Sequence, residues 1–165
     1  MPTITDMQLS IVKLFGGIRQ NIFIPNVSWG IGLRHECDLV IAHKTGYLTE
    51  IEIKRSSQDI KADLRKRHSH WEGPIRKVYF AVPEELADNP HIWKDAGIIS
   101  IGLHTRYNRQ DEKISVYEAK IIRRPKLNSS ADKLTDKEYL HLLHLGCMRI
   151  WKLKEKIQKL QHQKD

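Results

Sequence analysis

"TEIEIKRS", residues 49–56, sets charged side chains at three alternate positions, Glu50, Glu52 and Lys54, with isoleucines between them. An alternation with a period of two is typical of a β-strand. The three charged side chains should therefore share one face of the strand, and the isoleucines should point into the opposite layer. The pattern by itself fits a solvated strand edge as well as an active site, because a Glu-x-Lys triplet arises by chance roughly once in a chain of this length.

A further carboxylate, Asp38, lies in the strand that precedes this one. In "ECDLVIAH", residues 36–43, Asp38 interrupts a stretch that is otherwise apolar, and the turn "KTG" at 44–46 predicts an antiparallel hairpin with the next strand. Asp38 and Glu52 could then converge across the hairpin. Two carboxylates with a backbone carbonyl suit a hard cation such as Mg²⁺ or Mn²⁺. Lys54 could orient or help deprotonate an attacking water and stabilise charge on a phosphate.

The elements around the hairpin predict an α/β fold. Residues 5–18 form a predicted helix, in which Thr5 and Gln8 have capping-box spacing, and "NIFIPN" at 21–26 is a short strand. Ser56 and Asp59 are placed to cap a second helix, which continues through "DIKADLRKR". A helical crossover would make the following apolar strand parallel to its neighbour.

Four further segments complete the prediction. Three are strands, "KVYFAV" at 77–82, "GIISIG" at 97–102 and "ISVYEAKII" at 114–122, and the fourth is a long helix from about 135 to 163. We expect a mixed central sheet flanked by helices, with the long C-terminal helix as an addition. No boundary divides the chain, so residues 1–165 are predicted to be one domain with a core over about 3–122.

Composition limits the function classes. The chain has 165 residues, two cysteines and no apolar run of membrane-spanning length, so we expect a soluble cytoplasmic protein without membrane association. The 28 Lys and Arg against 20 Asp and Glu give a formal charge of +8. Positive charge favours a polyanion, with nucleic acid as the leading candidate, although a merely basic soluble protein has the same composition.

Cations crowd the second helix next to the Glu-x-Lys motif and could contact phosphates: Arg55, Lys61, Arg65, Lys66 and Arg67. His70 and Trp71 could stack on a base. His35 could carry protons, but a histidine satisfied at a strand end is the favoured interpretation. Glu50 is either a supplementary ligand or a solvated neighbour.

The C-terminal helix carries apolar residues at spacings of three and four: Leu140, Leu143, Cys147, Ile150, Leu153, Ile157 and Leu160. This stripe predicts a helix that lies on the sheet or pairs with another chain, for example as a homodimer. His141, His144 and Cys147 also share a helical face, which permits a transition-metal site, but packing is the favoured interpretation.

The order of helix, strand, strand with Asp, strand with Glu-x-Lys and helix resembles the PD-(D/E)xK nuclease superfamily, whose members have a restriction-endonuclease-like core. Within it, residues 34–103 resemble MmcB-like DNA-repair proteins, through "EIKRSSQDIKADLRK", "VYFAVPEEL" and "AGIISI". The chain departs from that family at "HECD" and "RHSHWEG", and its C-terminal helix lies outside the likeness.

The resemblance implies a metal-dependent hydrolase of DNA phosphodiester bonds that acts in DNA repair or processing. It implies Asp38 and Glu52 as Mg²⁺ or Mn²⁺ ligands with the Ile53 carbonyl, and Lys54 as the catalytic lysine. The residues at matching or neighbouring positions are accessory candidates: Glu50, Ser56, Asp59 and Asp63. Two alternatives remain, a non-catalytic DNA-binding module of the same fold and a protein-interaction domain that uses the C-terminal helix.

The basic segment generates a prediction about DNA affinity. The logarithm of the affinity should fall with the logarithm of salt concentration, with a slope of about −0.9 for each duplex phosphate neutralised. Arg65→Glu with Lys66→Glu should flatten that slope, as measured by fluorescence anisotropy across a salt series. The control is Lys156→Glu with Lys159→Glu, which makes the same change in net charge on the C-terminal helix. Equal slopes in the wild type and the first variant would place the binding face elsewhere.

Overall fold

Six strands form one mixed sheet in the order in which they occur along the chain, β1-β2-β3-β4-β5-β6. The structure is a computed structural model that describes residues 1–28, 30–63, 70–71 and 73–162. The elements are α1 (Ile4–Leu14), β1 (Ile22–Val27), β2 (Cys37–Ala42), β3 (Leu48–Ile53), α2 (Ser57–Asp63), β4 (Ile75–Pro83), a short 3₁₀ helix (Glu84–Leu86), β5 (Gly97–Tyr107), β6 (Lys113–Arg123) and α3 (Asp136–Gln161). The predicted α/β class, with a mixed sheet flanked by helices and a long C-terminal helix, is confirmed.

Strand direction changes across the sheet. β1, β2 and β3 are successively antiparallel, β3, β4 and β5 are parallel, and β6 returns antiparallel to β5. The tight turn between β2 and β3 contains Gly46 at φ +85°, a conformation that glycine adopts without strain. In the resulting register Leu39 faces Ile51, and Glu52 lies beside Phe80 of β4. The predicted β2–β3 hairpin and the parallel β4 are both confirmed.

The two faces of the sheet bury different helices. On one face Met7 and Ile11 of α1 pack in a cluster that includes Ile51 and Ile53. On the other face Ile60 of α2 and the first half of α3 join a cluster with members from β2, β3 and β4. Because side chains alternate along a strand, Glu50, Glu52 and Lys54 belong to this second face.

The first helix starts earlier than predicted. Thr3 is its N-cap and forms a capping box with Asp6, in which each side chain bonds the backbone of the other residue. The predicted box of Thr5 and Gln8 is therefore wrong, because Thr3 offers the same chemistry two residues earlier. The helix ends at Leu14, before Gly16 at φ +84°, and is therefore shorter than the predicted range of 5–18.

Only the first half of α3 packs on the sheet. Leu142 and Leu145 are buried, whereas the predicted stripe from Leu140 to Leu160 faces solvent, with Ile150 57% and Leu153 59% exposed. The sequence therefore predicted the wrong residues for contact with the sheet. Arg149 anchors the helix further along, where its Nε donates to the Pro25 carbonyl at 2.8 Å. Within the described residues, no helix is long and apolar enough to cross a membrane.

The exposed stripe keeps the prediction of a homodimer open to test. Ile150, Leu153, Ile157 and Leu160 follow heptad spacing, with isoleucine and leucine in the alternation that favours parallel pairs. Ile157→Glu should convert a dimer to a monomer in sedimentation equilibrium, whereas Gln158→Glu, off the stripe, should not. Because Lys154 and Lys156 flank the stripe in both copies, added salt should strengthen association by screening. A wild-type protein that is monomeric at high concentration and high salt would contradict the prediction.

Candidate metal centre and its charge network

The charged side chains of β3 are buried. Glu50 is 0% exposed, Glu52 1% and Lys54 6%. They lie on the face that also holds Phe80, and the Lys54 ammonium lies 5.7 Å from the centre of that ring. The solvated strand edge is therefore excluded, as is a solvated position for Glu50. Charges removed from water need partners, and the surrounding residues provide them.

Two histidines pair with Glu50. Its Oε1 accepts a hydrogen bond from His35 Nε2 at 2.6 Å and another from His70 Nδ1 at 3.0 Å. Burial alone raises the pKa of the Glu50 carboxyl, but the two imidazoles outweigh that effect and lower the pKa to about 2. Glu50 is thus a carboxylate, and its other oxygen, Oε2, has no hydrogen-bond partner among the described residues.

The network continues from His70 to Lys54. His70 Nε2 lies 3.1 Å from Asp63 Oδ2, and Lys54 Nζ donates to Asp63 Oδ1 at 2.9 Å and to Glu52 Oε2 at 2.6 Å. Burial lowers the pKa of His70, but the bonds to Asp63 and Glu50 prevail and raise it to about 10. The pKa of Lys54 is raised because its two carboxylates outweigh the effect of burial. Both bases therefore carry their protons at neutral pH.

Burial is the largest single influence on the pKa of the Glu52 carboxyl. Its pKa is raised to about 7, chiefly by burial, with the charges of Asp38 and Glu50 opposing that of Lys54. Asp38 lies across the hairpin, where its Oδ2 accepts a hydrogen bond from the Ile53 amide at 2.8 Å. The structure thus places the Asp38 carboxylate close enough to affect the charge of Glu52. The role of the Ile53 carbonyl as a ligand remains a prediction.

Two glycines let the histidine-bearing loops meet. Gly32, at φ +75°, and Gly73, at φ +48°, approach so closely that a Cβ on Gly73 would lie 3.2 Å from the Ile31 carbonyl oxygen. The loops bring the rings of His35 and His70 to 5.2 Å, and His70 also stacks on Trp93 at 5.9 Å. The sequence analysis singled out His35 and His70 separately, and the predicted satisfied histidine is seen at His35, but nothing in their spacing links them to each other or to Glu50.

Four residues form a group able to hold a metal ion: His35, Glu50, Glu52 and His70 each offer one ligand atom, and these atoms lie within 4.8 Å of one another. The donor set of two imidazoles and two carboxylates, with one Glu50 oxygen unpartnered, fits a divalent cation. It overlaps the predicted set of Asp38 and Glu52 only at Glu52. Binding would require the histidines to release protons, because a metal ligand must be deprotonated.

The accessory candidates separate into two groups. Ser56 and Asp59 cap α2, since the Asp59 amide donates to Ser56 Oγ at 3.1 Å and Asp59 Oδ2 accepts from the Arg55 amide at 3.3 Å. The predicted cap is confirmed. Asp63, in contrast, faces the site through Lys54 and His70. Lys61 is exposed on α2.

Three of the predicted phosphate contacts, Arg65, Lys66 and Arg67, lie outside the described residues. The prediction that His70 stacks on a base is wrong, because the residue is buried and its ring already stacks on that of Trp93. Trp71 is half-buried, with its ring 5.2 Å from that of Trp93. His141 packs against Gly30, and the metal-capable group found in the described part of the chain does not include it.

Comparison with known proteins shows a likeness in fold. A solved structure of a protein of unknown function from Silicibacter pomeroyi superposes with a TM-score of 0.57 over 94% of this chain and 89% of that chain, at 14% sequence identity. No protein-family model matches the chain, and no curated protein matches it significantly. At this identity the likeness concerns the fold alone.

The position of Glu50 generates a prediction about stability. Glu50→Gln should lower the free energy of unfolding by about 3–5 kcal/mol, because it removes the carboxylate that balances two buried imidazoles. Chemical denaturation measures the change. The control is Glu36→Gln at an exposed position, which should change stability by less than about 0.5 kcal/mol.

The pH dependence of stability distinguishes the two ways in which Glu50→Gln can act, by removing a charge or by disturbing the packing. Folded His70 has a pKa raised from 6.5 to about 10, so the folded protein keeps a proton that the unfolded chain releases. This contribution to stability is complete below pH 6.5 and is lost as the pH rises towards 10. Glu50→Gln should make that fall shallower. An unchanged pH profile would show that Glu50 acts only through its shape.

Proposed function

We propose that this chain is a divalent-metal-dependent phosphodiesterase that acts on DNA. The observation that carries the proposal is the placement of the Lys54 ammonium, held by two carboxylates beside a buried group of metal-capable side chains. Perturbed ionisable groups that converge in this way are typical of functional sites. The element order of α1 to β4 supports the resemblance to the PD-(D/E)xK superfamily, which rests on the same residues.

The ligands proposed for the metal come from two strands and two loops. Glu52 belongs to the group with Glu50, His35 and His70, and Asp38 lies across the hairpin from it. A bound Mg²⁺ or Mn²⁺ would supply Lewis acidity to a phosphate oxygen. Imidazole donors suit Mn²⁺ better than Mg²⁺, which prefers oxygen ligands and retains its waters. Mn²⁺ is therefore the cation that we expect to support the higher activity.

Lys54 is proposed as an electrostatic residue. Its raised pKa keeps it an ammonium, so in the resting state it cannot take a proton from water. Two of its three N–H donors are engaged by Glu52 and Asp63, and no partner for the third lies within the described residues. That donor can stabilise the charge that develops on a phosphate. Asp63 positions Lys54 and, through His70, connects it to Glu50.

DNA is proposed as the substrate because of charge. The formal charge of +8 and the cations that follow β3, including Arg55 and the exposed Lys61, favour a polyanion next to Lys54. The phosphates of DNA would then neutralise those side chains while one phosphodiester meets the ammonium. Repair or processing of DNA is the biological setting that the resemblance implies.

A non-catalytic DNA-binding module is the second candidate. The closed network from Glu50 through His70, Asp63 and Lys54 to Glu52 satisfies much of the buried charge without a metal, as a purely structural cluster would. A protein-interaction domain is favoured only by the exposed stripe on α3, which leaves the buried charges without a role.

Cleavage assays test the enzyme. Purified protein should cut at least one of single-stranded, duplex, flapped and branched DNA in Mn²⁺ or Mg²⁺. Lys54→Met should reduce the rate by about 100-fold or more, because it removes one preorganised charge while leaving DNA affinity nearly unchanged. The control is Lys156→Met, the same substitution at an exposed position on α3.

Calorimetry with Mn²⁺ tests the ligands. Asp38→Asn and Glu52→Gln should weaken metal binding, whereas Lys54→Met should preserve it. Two results would contradict the proposal. One is wild-type protein that binds DNA yet leaves all four substrates intact in both cations, which would favour the binding module. The other is equal Mn²⁺ affinity in the wild type and the carboxylate variants.

A further inference from the structure

A second concave region lies at the other end of β3. A cavity of about 500 Å³ is lined by residues of the β2–β3 turn and the first residues of β3 and β4, including Tyr47, Thr49, Arg76 and Lys77. Its volume is within the range of about 300–1,000 Å³ found for small-molecule sites. Thr49 lies on the face of β3 opposite to that of Glu50, because neighbouring side chains alternate. Leu48 also lines the cavity, which lies at the opposite end of β3 from Glu52 and Lys54, and the described residues that line it include no member of the proposed metal centre.

The cavity has an excess of positive charge. Arg76 and Lys77 line it, and a hollow of about 400 Å³ that shares His43 with it adds Arg19 and Lys44. Among the residues that the structure describes, no carboxylate lines either space. Within the described part of the chain, no acidic side chain forms an ion pair with Arg76 or Lys77. Cations with no acidic partner around a concave surface attract an anion.

The cavity wall is held in place before any ligand arrives. The Arg76 guanidinium stacks over the Tyr47 ring at 4.3 Å, which limits the orientations of its N–H donors. His43 is braced from both sides, with Nδ1 3.0 Å from Asn21 Oδ1 and Nε2 2.8 Å from Thr49 Oγ1. Burial, together with the charge of Lys77, lowers the pKa of His43, so the neutral ring serves as a spacer. The Arg76 guanidinium and the His43 ring are therefore held in place by their neighbours in the cavity wall.

We propose that this cavity binds phosphate, with Arg76 as the forked donor and Lys77 as the second charge. Bidentate guanidinium–phosphate contacts beside a lysine are a common way of holding this anion. The phosphate can belong to a free diphosphate-bearing ligand or to the backbone of a nucleic-acid strand, since both present the same oxygens. The site needs neither a metal nor Lys54, so it goes beyond the proposed hydrolysis and does not depend on it.

Calorimetry in EDTA with inorganic pyrophosphate tests the site apart from any metal chemistry. Arg76→Gln with Lys77→Gln should weaken pyrophosphate binding by roughly tenfold or more. Lys152→Gln with Lys156→Gln makes the same change in net charge on the exposed part of α3 and should leave binding unchanged. Lys54→Met should also bind normally, which separates this cavity from the candidate metal centre.

A competing oligonucleotide identifies the source of the phosphate. Displacement of pyrophosphate by a twelve-nucleotide single strand would assign the cavity to a nucleic-acid backbone, whereas simultaneous binding of both would assign it to a free phosphate ligand. If Arg76→Gln unfolds the protein, Lys44→Gln with Lys77→Gln retains the Arg76–Tyr47 stack and should still weaken binding. The proposal is overturned if wild-type protein does not bind millimolar pyrophosphate at low salt, or if the α3 control loses as much affinity as the cavity variants.

Discussion

The structure around β3 depends on one constraint, the removal of the Glu50 carboxylate from water. An isolated buried charge is unstable, so it must be matched by protons or cations at hydrogen-bond distance. His35 and His70 provide both, and Gly32 and Gly73 adopt left-handed conformations where the two loops come close together. The conformation of loops far apart in sequence therefore follows from the charge of one side chain.

This charge balance also explains why β3 can hold polar residues inside an apolar layer. Glu52 has its pKa raised to about 7 while Glu50 has its pKa lowered to about 2, although they are two residues apart on the same face. Two like groups with such different protonation are the usual basis for assigning different roles in acid–base and metal chemistry. Phe80 and Trp93 exclude water from the network and so strengthen its electrostatic interactions.

The sequence predicted the elements and the sheet well because their signals are local. Alternation in β3, the turn at Gly46 and the cap at Ser56 each depend on neighbouring residues. The candidate site was less predictable, since Asp38 and Glu52 are joined by a hairpin that sequence reveals, whereas His35 and His70 meet Glu50 through loop packing that it does not. The wrong prediction for α3 has the same cause. The sequence pattern correctly predicted a helix, but the face that packs on the sheet is set by the tertiary contacts of Leu142 and Leu145.

The order of the strands in the sheet has a consequence for how the chain acquires its fold. Every strand pairs with its neighbour in sequence, so no strand has to be inserted between two that have already joined. During synthesis the sheet can extend from β1 towards β6 as each strand leaves the ribosome, because each new strand pairs with the strand made just before it. The parallel steps from β3 to β5 require crossovers and should be the slower ones. The charged side chains of β3 would therefore stay in contact with water until β4, which carries Phe80, has joined the sheet.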